Sequence, residues 1–319
     1  VATKTRIAHS YLIYFLPIAG LFIVFIYRIT NMANDGGTNR VIKSIRTEKR
    51  LKFRMAPLIF TGTVVTHLFG GSAGREGAAL QIGGSIGSTL GKLLHLKAKD
   101  VHIVTMCGMS GVFAALFGTP ITATIFSMEV ISVGVLYYVA FIPCLFSAII
   151  AYTLAKYFGM HPESYVLANI PDFTLPTIIR TIIIAAVCAT ASIAFCFIIH
   201  KTHSLFKWIF KNSYIRIFSG GAIIILLTLL VQSHDYNGAG MDVVTKALAG
   251  EHARPEAFLL KIVFTAITLA AGYKGGEIVP SFFIGATFGC LFGNMIGFSP
   301  ALCSAVGMIS LFCGVTNCP

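Results

Sequence analysis

Long apolar runs, several of them broken only by glycine, constrain this chain more than any other feature. Runs 11–27, 178–199 and 218–232 approach or exceed the roughly 20 apolar residues that a helix needs to cross a bilayer. Runs 78–94 and 278–298 are as apolar but carry glycines at short intervals. Continuous rather than alternating hydrophobicity argues against a membrane barrel, and backbone in lipid must then satisfy itself as helix. Composition agrees, since 56% of the 319 residues are hydrophobic and 11% charged, against about 25% charged in an ordinary soluble domain. The expected fold class is an all-α polytopic membrane protein of the cell membrane, with the lipid bilayer as its surroundings.

A formal charge of +12 raises the question of nucleic acid, but the basic residues gather between apolar runs rather than along a soluble face. Arg40, Lys43, Arg46, Lys49, Arg50, Lys52 and Arg54 share one short connection, which the positive-inside rule places in the cytoplasm. No nucleic-acid partner is therefore expected. The cysteines, at 107, 144, 188, 196, 290, 303, 313 and 318, lie mostly in apolar runs without metal-ligand spacing and read as small buried hydrophobes. No metal or cofactor is expected, and no nucleophile, base and orienting group stand at a spacing that suggests an enzyme. The start at Val1 and the abrupt end at Asn317-Cys318-Pro319 read as cut ends.

The chain repeats itself. A shift of 202 residues lays the segment 35–42 over 237–244 and the glycine ladder 82–91 over 284–293. After a three-residue deletion the shift becomes 199, and Gly108-Met109, Phe113 and Pro120 meet Gly307-Met308, Phe312 and Pro319. Small residues recurring for helix packing would explain the glycines, but not the shared offset. The expected organisation is a first repeat over 1–158, a proline-bearing linker over 159–176 and a second repeat over 177–319. Such repeats are commonly inverted in the membrane plane.

In each half a glycine turn leads into an apolar helix, Gly74 to Gly77 before Ala78 and Gly275-Gly276-Glu277-Ile278-Val279-Pro280 before Ser281. Helix starts carry unpaired N–H groups and the positive end of the macrodipole, and glycine lets a small anion approach them. Two such ends brought together would bind an anion with less than a full positive charge, so that it can also leave. Acids in membrane segments are functional candidates by default. Glu76 could occupy that anion site when charged and vacate it when protonated; the plainer alternative is a helix cap paired with Arg75. Glu277, opposite Arg75 in the repeat, reads first as a cap or a partner of Lys274. Glu129 divides between helix bracing and proton handling. His67 reads as a packing histidine with a smaller claim to assisting protons, and Tyr137 and Tyr138 as packing or interfacial aromatics. A transporter for organic solutes would need more side-chain donors than Thr38, Asn39 and Ser281 supply.

The run Gly74-Arg75-Glu76-Gly77-Ala78-Ala79-Leu80-Gln81-Ile82-Gly83 resembles the gating-glutamate motif of the CLC chloride channels and anion/proton antiporters. Gly276-Glu277-Ile278-Val279-Pro280 is similar to that family's GxFxP, and Gly118-Thr119-Pro120-Ile121 to the start of its inner-glutamate helix. The resemblance spans essentially the whole chain. It implies a homodimer with one pathway per subunit, and inverted repeats whose broken helices point their N-termini at a central anion. Glu76 would be the gating and proton-carrying glutamate. Gly37, Thr38, Gly74, Gly77, Gly276, Glu277, Ile278 and Val279 would surround the anion, and Glu277 and Glu129 would be candidates for proton handling.

Departures from the pattern narrow the branch. The proline after the glutamate motif is Ala78, the GSGIP serine position falls on Gly37 or Thr38, and the inner proton-transfer glutamate aligns with Val130. The pore tyrosine of the family would lie beyond Pro319. These features, Glu277 and the run Val315-Thr316-Asn317-Cys318-Pro319 are most similar to the bacterial fluoride-transporting branch, although the methionine often found at its serine position is absent. That branch implies a halide, fluoride ahead of chloride, exchanged for protons, and it raises Glu277 from cap to candidate participant; a passive anion channel on the same scaffold is the alternative.

Overall fold

The computed structural model describes residues 2–32, 37–47, 51–131, 136–160, 162, 165, 167, 170–251, 253–316 and 318. Asp35, Gly36, Lys49, Arg50, Asn317 and Pro319, used above, lie outside the described residues.

The first part of the chain forms α1 (Ala2–Ala8), a 3-10 turn over Ser10–Phe15, α2 (Leu16–Ile29), α3 (Thr38–Arg46) and α4 (Met55–Leu68). It continues with α5 (Glu76–Leu93), α6 (Ala98–Phe117), α7 (Pro120–Glu129), a second 3-10 turn over Tyr138–Ala140 and α8 (Phe141–Tyr157). The later part forms α9 (Leu175–Ile209), α10 (Ser213–Val231), α11 (Met241–Leu248), α12 (Ala257–Ala271), α13 (Ile278–Met295) and α14 (Pro300–Thr316). Among the described residues there is no strand, as lipid demands of a chain that does not close a barrel.

Among the described residues, six helical stretches are long and apolar enough to cross a membrane. The longest, α9, has 35 residues, about 52 Å of helix against a hydrocarbon core of about 30 Å, so it must tilt or protrude. It also absorbs Pro176, which sits in its first turn, where the missing N–H costs nothing. The apolar stretch 121–157 is not one helix. It ends as α7 at Glu129 and resumes as α8 at Phe141.

Helix by helix, the two parts correspond. The starts of α5 and α13, at Glu76 and Ile278, lie 202 residues apart, and so do those of α6 and α14, at Ala98 and Pro300. Both α5 and α13 begin earlier than the glycine turns suggest, because Arg75 and Glu277 are already in helical conformation. Their carbonyls accept from Ala79 (3.0 Å) and Ser281 (2.9 Å), so Glu76 and Gly77 are helical and not part of the turn.

Packing repeats as well. A Cβ on Gly83 would lie 2.2 Å from the Gly108 carbonyl oxygen, and one on Gly285 would lie 2.3 Å from that of Gly307. The helix pairs α5/α6 and α13/α14 therefore touch backbone to backbone, the contact that small residues permit in membranes. Across the two parts, the Tyr273 hydroxyl donates to the Leu16 carbonyl (2.9 Å) and to the Ile217 carbonyl (3.1 Å). One large apolar core runs through both.

Since Gly83→Ala forces two backbones apart, it should lower stability by about 1–3 kcal/mol, read as a drop in the thermal unfolding midpoint in detergent. Gly91→Ala, whose Cβ would come no nearer than 3.1 Å to the Val101 side chain and 3.3 Å to its Cα, should cost less. Equal midpoints for the two variants would contradict the packing described.

Candidate functional site

Gly74 and Gly276 build the centre of the molecule. Gly74 N–H donates to the Gly276 carbonyl (2.7 Å) and Gly276 N–H donates to the Gly74 carbonyl (2.9 Å), an isolated antiparallel bridge. These residues are repeat equivalents, 202 apart. Antiparallel pairing of a residue with its own equivalent requires a two-fold rotation between them, so the repeat is inverted about this bridge. Two residues beyond each glycine a helix starts, so the N-termini of α5 and α13 face one another.

The approach is close because side chains are missing. A Cβ on Gly77 would lie 3.1 Å from the Gly276 Cα and 3.0 Å from Thr38 Oγ1. Thr38 opens α3 after Gly37, whose φ of +60° is one that a side chain disfavours. The Thr38 hydroxyl donates to the Gly77 carbonyl at 3.4 Å. The structure thus gathers Gly37, Thr38, Gly74, Gly77, Gly276, Ile278 and Val279 where three helix starts converge.

Glu76 is the first residue of α5 and only 2% exposed. Its Oε1 lies 3.5 Å from Nε of Arg75, which is 52% exposed. A pair open to water on one side adds little. The stronger support is geometric. Oε2 lies 2.7 Å, and the Val279 nitrogen 3.0 Å, from the point that a Cβ on Gly74 would take. The carboxylate is therefore held at the start of its own helix and against the first turn of α13. Each start carries about half a positive charge, so the two together approach the charge of one cation without presenting one.

The other acids stand apart. Glu277 is the residue before α13, half-buried, and makes no side-chain cap hydrogen bond, so the capping reading does not hold. Lys274 Nζ sits 4.1 Å over the Tyr27 ring. Glu129 ends α7 and accepts from the Cys318 thiol at 3.3 Å. Beside it Arg46 Nε donates to the Ile131 carbonyl.

A cavity of about 740 Å³ opens in front of the centre, and of the residues named for the site Glu76 and Val279 line it. His67 lines it too, 7% exposed. Gln81, passed over by sequence reasoning, belongs to the site by position. It is 1% exposed, donates from Nε2 to the Gly77 carbonyl (3.1 Å) and reaches Thr38 Oγ1 (3.5 Å). The signal for it was the one amide in α5, a turn in from its start. Among the described residues no group of acids, histidines and cysteines could hold a metal ion.

Comparison with known proteins agrees with this architecture. Residues 19–319 match the family described as voltage gated chloride channel. The "Chloride/fluoride channel protein" of Pseudomonas syringae pv. tomato is 32% identical over 325 residues, covering all of this chain and 72% of that protein. A solved structure described as a CLC-type fluoride/proton antiporter superposes with a TM-score of 0.94 at 32% identity, over 99% of this chain and 80% of that one. A slow cyanobacterial Cl-/H+ antiporter shares the fold, with a TM-score of 0.79 at 18% identity over 98% of this chain and 80% of that one. Inverted glycine-led helices around a buried glutamate, matched over nearly the whole length, place this chain in the voltage-gated chloride channel family, the CLC proteins, as an integral membrane protein.

Proposed function

We propose that the chain exchanges a halide, fluoride ahead of chloride, for protons across the membrane, with Glu76 as the group that couples them. The observation that carries this reading is the burial of the Glu76 carboxylate where the N-termini of α5 and α13 meet. Ionised, it occupies the field in which an anion would sit. Protonated, it loses the attraction of both helix ends and yields the place. One negative charge at a time then occupies the site, and each exchange between carboxylate and anion takes up or releases a proton.

Fluoride is preferred because the Pseudomonas relative and the antiporter structure, each 32% identical, are both described with fluoride. Ion size and hydration are then read by backbone amides around Gly77, Glu277, Ile278 and Val279, with Gly37 and Thr38 completing the far wall. Gln81 fixes Thr38 in place. Of the remaining acids Glu277 is assigned to proton handling, being one residue from the α13 start, and Glu129 to bracing against Cys318. The repeats divide at the linker 159–176, and two chains assemble with a pathway each, as family membership suggests.

Electrode-monitored efflux from liposomes tests the reading with fluoride and chloride in parallel, each with and without a pH gradient. Fluoride efflux should be the faster, and its reversal potential should move with pH. A reversal potential blind to pH leaves a passive channel.

Glu76→Gln mimics the protonated acid, so fluoride should still cross while uphill, proton-driven movement disappears. Persistence of uphill transport would remove Glu76 from the coupling. Glu277→Gln should weaken coupling, and Glu129→Gln should leave it.

Gly77→Ala puts a methyl group between Thr38 and Gly276. Fluoride efflux should fall about tenfold, equivalent to about 1.4 kcal/mol, while the thermal midpoint moves less than for Gly83→Ala. A wild-type rate would place the anion elsewhere.

A further inference from the structure

The end of α9 is chemically unlike the rest of it. Between Arg180 and His200 the helix carries 19 uncharged residues, about what a bilayer core takes. Its last turns, His200 to Ile209, therefore lie at the level of the lipid headgroups. They are basic and apolar at once. His203 and Lys207 are exposed, and so are Leu205 (49%), Trp208 (77%) and Ile209 (51%). Such a mixture suits neither bulk water nor hydrocarbon, but it suits the interface between them.

The turn that follows is ordered. Phe206 is buried and packs against Phe210, with ring centroids 5.7 Å apart. Asn212 Oδ1 accepts from the Tyr214 N–H (2.9 Å) and its carbonyl accepts from the Arg216 N–H (2.9 Å), so α10 starts from a capped residue. Lys211 stands in this turn, exposed, and Arg216 is half-buried. Lys207 and Arg216 both add positive potential at His203, so α9 and α10 bring their charges to one place.

All of this lies on one side of the membrane. Arg54 Nη1 donates to the Thr30 carbonyl at 3.1 Å, which ties the end of α2 to the basic connection. The Arg28 guanidinium, in the last turn of α2, lies 5.8 Å over the Tyr214 ring, which ties the start of α10 to the same level. That side is cytoplasmic by the positive-inside rule. No acid falls between Asp172 and Asp235. Among the described residues Arg28, Lys207, Lys211 and Arg216 form no ion pair with a carboxylate.

We propose that the turn between α9 and α10 binds an anionic phospholipid of the cytoplasmic leaflet. Lys207, Lys211 and Arg216 hold its phosphate, and its acyl chains lie along the exposed Ile215 and Phe218, three residues apart on one face of α10. Charge complementarity selects this occupant. A zwitterionic lipid brings its own cation among three others, whereas a headgroup with net negative charge neutralises them. The apolar flank selects a lipid over a free anion, since inorganic phosphate gains nothing from Leu205, Trp208 and Ile209. Lipid binding here is independent of which ion the centre passes.

Trp208 is the single tryptophan of the chain, so its fluorescence reports lipid contact at this turn alone. The intact protein is reconstituted in dioleoyl phosphatidylcholine mixed with either brominated phosphatidylglycerol or brominated phosphatidylcholine, and quenching is compared. Phosphatidylglycerol should be preferred by about tenfold, as each basic residue near an anionic headgroup contributes roughly a fivefold factor that salt partly screens. Lys207→Gln combined with Lys211→Gln should bring the preference to within about twofold of unity. Lys43→Gln combined with Lys52→Gln removes equal charge from the same membrane face and should leave the preference as in the wild type. Equal quenching by the two lipids in the wild type overturns the proposal. So does an equal loss in both double variants, which would mean a diffuse surface potential rather than a site. Relief of the quenching by inorganic phosphate at constant ionic strength also overturns it, because the turn would then take a free anion.

Discussion

Two hydrogen bonds between Gly74 and Gly276 fix the arrangement of everything around them. Each glycine uses its own N–H and carbonyl to satisfy those of the other, so these two non-helical residues leave neither backbone polar group unmet. The same bridge sets two helix starts face to face. Without it the N-termini of α5 and α13 would point their positive ends into lipid or at each other without purpose. With it they converge on the buried Glu76 carboxylate.

That convergence explains why a chain with a formal charge of +12 has no lysine or arginine head group at its centre. Partial charges from backbone hold an anion moderately and cannot lose it by deprotonation. A full cation would bind harder and release more slowly. Arg75 illustrates the division: it is half exposed, with its Nε 3.5 Å from Glu76 Oε1. Full positive charge stands instead at the cavity in front, on Arg6 and Arg75.

Much of the fold was legible in the sequence because membranes leave few options. Apolar run length gave the spans, and the offset of 202 gave the repeat, since glycine contacts such as Gly83 with Gly108 and Gly285 with Gly307 must be kept in both copies for the helices to touch. Less legible were local boundaries. Glu76 looked like part of a turn because the glycines at 74 and 77 mask a helix start. The motif residues near Gly74, Gly276 and Thr38 were readable as a set. Gln81 was not, as a lone amide in a glycine-rich apolar helix looks the same whether it braces the helix or supports a neighbouring helix start.

By itself the sequence determined the class of the protein, the duplication, and which residue types could bind an anion through backbone. These follow from composition, period and spacing, which are properties of the chain in one dimension. Only the tertiary structure decided that Gly74 pairs with its own repeat equivalent and that Glu76 lies against the α13 start rather than merely capping α5. It alone brought Arg6 beside His67 across some 60 intervening residues. Pairings of this kind depend on the angle at which whole helices cross, and that angle is set by glycine contacts between helices, not by any pattern within one.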